Sequence, residues 1–204
     1  MIAIVDYGLG NIRAFVNVYR RLNIPVEVAR RPQDLAAATK VILPGVGAFD
    51  HAMELLQHSG MRDTLDEVVL HRGVPVLGVC VGMQILASTS EEGQLRGLGW
   101  IDGQVRKFDI AASRHRTRLP HMGWNDVNSV CDSGLFAGLR ENARFYFLHS
   151  YYFQCASREN VAAETDYGMK FSCAVHAKNI YGVQFHPEKS HHFGARLLKN
   201  FAEL

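Results

Sequence analysis

The chain has 204 residues, 48% of them hydrophobic and 21% charged, proportions that fit a globular protein and exclude a disordered or fibrous one. Its 22 basic and 20 acidic side chains leave a formal charge of +2, and no dominant basic stripe argues for a nucleic-acid partner. No apolar stretch is long enough to cross a bilayer, so no membrane association is expected.

Residues 2–6 read as an apolar strand closed by the turn Tyr7-Gly8-Leu9-Gly10. Asn11 is placed to cap a helix running to about residue 22, with Ile12, Phe15, Val16 and Tyr19 at helical spacing. Residues 25–29 and 40–43 read as the second and third strands, the third stopping at Pro44-Gly45. Helices are predicted over 48–56 and 61–71, a fourth strand over 74–79, and a helix start over 82–87. Short apolar strands alternating with helices imply right-handed βαβ units around a buried parallel sheet.

Beyond about residue 93 strand-like stretches follow one another, over 100–108, 123–127, 145–149, 152–156, 162–166, 171–176 and 180–185, before a closing helix over 193–201. The prediction is an α/β fold with a mostly parallel central sheet, helices on both faces and an added antiparallel layer. No repeat, low-complexity segment or Pro/Gly/Ser linker interrupts it, so a single domain over residues 1–204 is expected. The longest basic cluster, Arg114-His115-Arg116-Thr117-Arg118, reads as a solvated loop. Residues 1–6 are too short for a signal peptide, and Cys80, Cys131, Cys155 and Cys173 form no Cys-x-x-Cys pair. A cytoplasmic, reduced protein without zinc knuckles or a disulfide framework is expected.

The pentapeptide Gly78-Val79-Cys80-Val81-Gly82 has the spacing of a nucleophile elbow with cysteine in place of serine. A nucleophile on a sharp strand-to-helix turn sits in strained backbone, and bulky residues two positions either side would clash. The helix N-terminus favours a thiolate, and the Val81 N–H is a natural oxyanion donor. Alone, the pentapeptide suits a buried, inert cysteine equally well. A cysteine nucleophile needs a base and a group that orients the base. His186-Pro187-Glu188 lies at the end of the last predicted strand, where strand ends of a parallel sheet gather active-site residues. His186 would take the thiol proton and Glu188 would fix its tautomer, although by itself such a tripeptide is more often a surface turn. Pro44-Gly45-Val46-Gly47, which alone reads as an ordinary strand-ending turn, could supply a second oxyanion donor.

Gly8-Leu9-Gly10 lacks the third glycine of a dinucleotide fingerprint. His186, His191 and His192 cluster without a cysteine or second carboxylate, so no metal and no cofactor are expected, and His191 and His192 read as solvated. Cys131, Cys155 and Cys173 lack the elbow context and read as structural. Asp6 reads as partner-facing or loop-stabilising.

Gly78-Val79-Cys80-Val81-Gly82-Met83-Gln84 with His186-Pro187-Glu188-Lys189-Ser190 resembles the class I (triad) glutamine amidotransferases, whose fold is flavodoxin-like. Four further motifs sharpen the likeness: Asp6-Tyr7-Gly8-Leu9-Gly10-Asn11, Pro44-Gly45-Val46-Gly47-Ala48-Phe49, Pro120-His121-Met122-Gly123-Trp124-Asn125 and Phe147-Leu148-His149-Ser150-Tyr151. Together they are similar to the glutaminase subunits of imidazole glycerol phosphate synthases, from residue 1 to the end of the chain. The resemblance implies a γ-glutamyl thioester on Cys80, proton transfer by His186 oriented by Glu188, and no cofactor. It implies an oxyanion hole from the backbone of Gly47 and Val81, with Val46 rearranging when the partner binds as one route to it. Gln84, Glu92, His149, Ser150 and Tyr151 fall where the family holds L-glutamine. Asn11, Trp124 and Lys189 fall where it faces its (β/α)8-barrel cyclase in a heterodimer. Val81 departs from the commoner leucine, with little consequence expected for a backbone donor.

Within the same chemistry, Gly97-Leu98-Gly99-Trp100-Ile101-Asp102 and Ser190-His191-His192-Phe193-Gly194 are also similar to paralogues that feed ammonia to sugar amidotransferases in surface-polysaccharide synthesis. A free-standing cysteine hydrolase and a catalytically silent module are the readings from other classes.

Overall fold

Runs of Val, Ile and Leu without polar alternation form strands only where both faces of a sheet are covered, and the first half of the chain is built this way. The computed structural model describes residues 1–109, 118–131, 133–139 and 143–204, so residues 114–117 of the basic cluster lie outside the described residues. In chain order the first half comprises Ile2–Val5 (β1), Ile12–Arg21 (α1), Val26–Ala29 (β2), Lys40–Gly45 (β3), Phe49–His58 (α2), Arg62–Asp66 (α3), Val76–Cys80 (β4) and Val81–Gln84 (α4). The strands β1 and β4 are buried at every position, and β3 at all but its first. Then come Thr89–Ser90 (β5), Gly103–Lys107 (β6), His121–Asp126 (β7), Asn128–Ser129 (β8), Arg144–His149 (β9), Tyr151–Cys155 (β10), Val161–Asp166 (β11), Lys170–Ala177 (β12), Ile180–Val183 (β13) and His191–Glu203 (α5).

Strands β2, β1, β3, β4 and β13 lie side by side and parallel. Right-handed connections that run in opposite directions from β1 put helices on opposite faces. Accordingly α1 packs against α5, while α2 packs against α4. The helix α1 buries Phe15, Val18 and Tyr19, one face at helical spacing. Asn11 stands at its N-cap position, but the side chain makes no capping bond.

The antiparallel strands mostly prolong this sheet rather than forming a layer across it. Strands β12, β10 and β6 continue outward from β13, with β11 and β8 beside β12. Among the described residues only β7 and β9 stand apart, as a two-stranded antiparallel ribbon. The chain therefore changes sheets at Ser150, between β9 in the ribbon and β10 in the main sheet.

The helix expected over 61–71 is present from Arg62 to His71, with α3 running directly into a π-helical turn over Glu67–His71. The helix expected over 82–87 is only the turn α4. Beyond it the backbone N–H groups of Leu98 and Ile101 bond to the Ile85 and Leu86 carbonyls, which caps the turn with a loop. A one-turn helix carries little macrodipole, so charge stabilisation at Cys80 must come from individual groups.

Gly45, Gly78 and Gly82 let β3, β4 and α4 touch backbone to backbone. A Cβ on Gly78 would lie 2.5 Å from the Gly82 carbonyl oxygen, and one on Gly82 would overlap the Leu43 carbonyl oxygen. Gly82→Ala should therefore destabilise the fold by about 3 kcal/mol or more. Gly73→Ala, at φ +68° in open space, should cost only about 1 kcal/mol. Equal losses in urea denaturation would show that the close approach is not what matters at Gly82.

Candidate active site

The parallel register sets three chain ends beside one another. Gly45 pairs with Cys80 across β3 and β4, and Val183 pairs with Val79 across β13 and β4. Everything just beyond these residues, including Val46, Gly47, Val81 and His186, opens at the carboxyl edge of the sheet, where open α/β sheets hold ligands. Cys80 itself has φ 56° and ψ −113°, a left-handed conformation that a non-glycine residue keeps only when its surroundings impose it.

The Cys80 thiol is buried. Its Sγ lies 3.8 Å from the Gln184 Nε2 donor and 3.9 Å from the Leu148 carbonyl oxygen. His186 Nδ1 lies 2.9 Å from Glu188 Oε1, and both side chains are almost wholly enclosed. Burial lowers the His186 pKa, but hydrogen bonding to Cys80 and Glu188 and their negative charges outweigh it and raise it to about 10. The second oxygen of Glu188, Oε2, is buried without a hydrogen-bond partner. Pro187 opens one 3-10 turn over Pro187–Lys189, a position that proline's fixed φ suits. Ser190 Oγ ties this turn down, donating to the His186 carbonyl at 2.6 Å and accepting from the Tyr146 N–H at 3.0 Å.

A cavity of about 290 Å³ opens over Cys80, at the small end of ligand pockets and suited to a molecule of amino-acid size. Val46, Gly47, Cys80, Val81, Gln84, Glu92, His149, Ser150, Tyr151, His186 and Lys189 all border it. Glu188 stands behind His186, outside the cavity. Asn11 is exposed at the start of α1, and Trp124 lies on the outer ribbon with its ring stacked on His191 at 5.2 Å. His191 and His192 are exposed. Asp6 pairs with Arg30 at 3.1 Å, which joins the end of β1 to the end of β2.

Two cavity residues present less to a ligand than their position suggests. The Gln84 Nε2 hydrogens are committed to the Tyr151 carbonyl and the Gln184 Oε1, both at 3.1 Å. His149 uses both ring nitrogens, Nδ1 toward the Tyr151 carbonyl at 2.7 Å and Nε2 toward His121 Nδ1 at 3.0 Å. Burial, reinforced by the neighbouring His121, depresses its pKa to about 3, and burial depresses that of His121 to about 4. His149 is thus a neutral wall with no free nitrogen.

Sequence reasoning passed over Gln184 and Asp50. Gln184 is fully buried and bridges Gln84 to Cys80, and its one visible signal is a polar side chain inside an apolar strand immediately before His186. Asp50 accepts from the Gln94 and Leu95 N–H groups at 2.8 and 3.0 Å, while Glu92 accepts from the Phe49 N–H at 2.9 Å. This reciprocal clasp holds Glu92 at the cavity, where burial and the nearby Asp50, partly offset by the Phe49 N–H, raise its pKa. Burial pushes the Cys155 thiol up to about 11 and raises that of Cys173 well above the usual thiol range, in keeping with structural roles.

The family model for glutamine amidotransferase class-I matches residues 3–204. The chain is 61% identical over 204 residues to the protein named imidazole glycerol phosphate synthase subunit HisH of Bdellovibrio bacteriovorus, with 100% of each chain covered. It is 53% identical to the protein of the same name from Leptospira interrogans, again with 100% of each covered. A solved structure described as a glutamine amidotransferase superposes with a TM-score of 0.75 at 21% identity, covering 99% of this chain and 97% of the other. With the strand-end cysteine, the buried His186–Glu188 pair and a match over nearly its whole length, the chain belongs to the class-I glutamine amidotransferase family.

Proposed function

We propose that residues 1–204 form one glutaminase domain that hydrolyses L-glutamine to glutamate and ammonia, as the glutaminase subunit of an imidazole glycerol phosphate synthase in histidine biosynthesis. The observation that carries this reading is the enclosed Cys80–His186–Glu188 arrangement at the floor of an amino-acid-sized cavity. Full-length relatives bearing that subunit's name support it. Cys80 Sγ attacks the side-chain amide carbon of glutamine, and His186 Nε2 carries the thiol proton to the departing nitrogen, releasing ammonia and leaving a γ-glutamyl thioester. Water then attacks the thioester, giving its proton through His186 back to sulfur, and glutamate leaves. Glu188 keeps the Nδ1–H of His186 in place throughout.

The backbone N–H groups of Gly47 and Val81, with the Val46 peptide between strand and loop, are the proposed oxyanion donors. Glu92 and the Gln84 Oε1 suit the α-ammonium group of the substrate. Ser150 and Tyr151 contribute backbone, and His149 contributes shape. The proposed partner is a (β/α)8-barrel cyclase in a heterodimer that takes the ammonia at the cavity mouth, facing Asn11, Trp124 and Lys189. Large apolar side chains left in solvent around that mouth favour a docking face there: Met122 is 64% exposed, Trp124 39%, Leu148 38% and Val46 37%. A biosynthetic role of this kind places the protein in the cytoplasm. Among the described residues no helix is long and apolar enough to cross a membrane.

A glutamine-analogue electrophile such as a chloroketone should label Cys80, read by peptide mass, and Cys80→Ser should abolish glutamine-dependent synthesis by the complex. Synthesis from added ammonium salts should survive, because the cyclase performs that step. Labelling of another cysteine would overturn the nucleophile, and failure to complement a histidine auxotroph alongside an intact cyclase would favour the polysaccharide paralogue.

The raised His186 pKa has a sign in stability. The folded protein holds that proton up to about pH 10, whereas the unfolded chain releases it near 6.5. The contribution is therefore complete below pH 6.5 and is lost as pH rises towards 10. In urea denaturation, wild type should lose ground to His186→Asn across that window. A difference that stays flat would refute a protonated His186.

A further inference from the structure

The cavity wall at residues 149–151 is the corner where the chain leaves the ribbon for the main sheet. Ser150 alone separates β9 from β10; its carbonyl accepts one long bond, from the Phe108 N–H at 3.4 Å, and side chains brace the corner further.

His149 Nδ1 lies 2.7 Å from the Tyr151 carbonyl oxygen. A carbonyl only accepts, so Nδ1 carries the hydrogen and Nε2 of the neutral ring presents a lone pair. That Nε2 meets Nδ1 of His121 at 3.0 Å, from the residue directly opposite in the ribbon. His121 Nδ1 must therefore donate, which leaves its own Nε2 as an acceptor. Facing this Nε2 at 3.3 Å is the amide nitrogen of Asn125. The orientation of Asn125 is set by backbone on both sides, since Nδ2 donates to the Asp166 carbonyl at 2.8 Å and Oδ1 accepts from the Asp126 N–H at 2.9 Å. Two unrelated carbonyls, those of Tyr151 and Asp166, thus demand the same proton arrangement from opposite ends. Reversing either imidazole would set lone pair against lone pair, or hydrogen against hydrogen.

The rings are held as firmly as the protons. His121 stacks on Phe147 at 4.6 Å and on Tyr167 at 3.9 Å between ring centroids. At the inner end the Tyr151 carbonyl accepts a second bond from Gln84, which fills both of its lone pairs.

We propose that His121 and Asn125, neither of which borders the cavity, are positioning residues for the strip His149-Ser150-Tyr151, which they hold through a hydrogen-bonded chain with one permitted set of proton positions. The inference rests on the glutaminase reading for what the strip binds. Its loss loosens substrate binding and leaves Cys80, His186 and Glu188 intact, so it acts on KM.

The test has a kinetic and a spectroscopic part. In the complex with the cyclase, His121→Leu removes the donor to His149 and should raise KM for glutamine about tenfold, the size of one lost buried hydrogen bond, with kcat within about twofold. His121→Asn, whose Nδ2 reaches the position of the lost Nδ1, should bring KM back near the wild-type value. Should His121→Leu fail to fold, Asn125→Leu at the half-buried outer end should raise KM about threefold. Nitrogen-15 NMR of the full chain should find His121 and His149 both as Nδ1–H tautomers. Nε2–H tautomers would overturn the proposal. So would a KM raised as much by His121→Asn as by His121→Leu, or a KM unmoved by the leucine variant measured. Wild type that fails to hydrolyse glutamine would sink the glutaminase reading instead, while the tautomers, read without turnover, still decide the relay.

Discussion

The site depends on three places where no side chain stands between backbones. Gly45 at the end of β3, Gly78 within β4 and Gly82 in α4 bring these elements closer than any Cβ would allow. Strand β4 therefore turns into α4 within one residue, and that residue, Cys80, takes the left-handed conformation. Holding a non-glycine residue there costs about 1–3 kcal/mol, offset by the burial of β1, β3, β4 and β13 on both faces. With the thiol pinned from three elements, the other groups are brought to it: Gln184 and His186 from beyond β13, and the Leu148 carbonyl from the ribbon.

Three imidazoles share this buried region and end in different charge states. Burial drives His121 and His149 down to about 4 and 3, because their ring partners are each other, a carbonyl and an amide. Burial presses on His186 as well, yet hydrogen bonds to Cys80 and Glu188 and their negative charges carry it to about 10. The sorting is also cooperative. A neutral His149 spares His186 a nearby like charge, since protonating it would work against His186 directly.

Much of this was legible in the residues. The apolar runs of β1, β3 and β4, the glycine spacing around Cys80 and the strand-end His186-Pro187-Glu188 are all local patterns, and local patterns survive folding. What stayed hidden depends on contacts between distant segments. Asp50 and Glu92 meet only because α2 and the loop after β5 pack together, and Gln184 meets Cys80 across strand register. His121 pairs with His149 only once β7 and β9 form a ribbon. The short α4 was hidden for a related reason: Ile85, Leu86 and Ala87 keep helical spacing, but the loop at 97–101 takes their carbonyls instead.

The ribbon gives the site two halves with different attachments. Cys80 and the Gly45–Gly82 contact belong to the parallel sheet, where backbone packing leaves no play. The other half hangs on β9. Tyr146 accepts from the His186 N–H at 2.9 Å and binds Ser190 Oγ, and Leu148 and His149 lead into the Tyr151 corner. The exposed apolar side chains Met122, Trp124 and Leu148 belong to this same ribbon. A partner seated on them bears on His186 through the Tyr146 carbonyl, on Cys80 through the Leu148 carbonyl and on the 149–151 corner together. Alignment of the sulfur, the imidazole and the cavity wall is then the quantity such a partner controls.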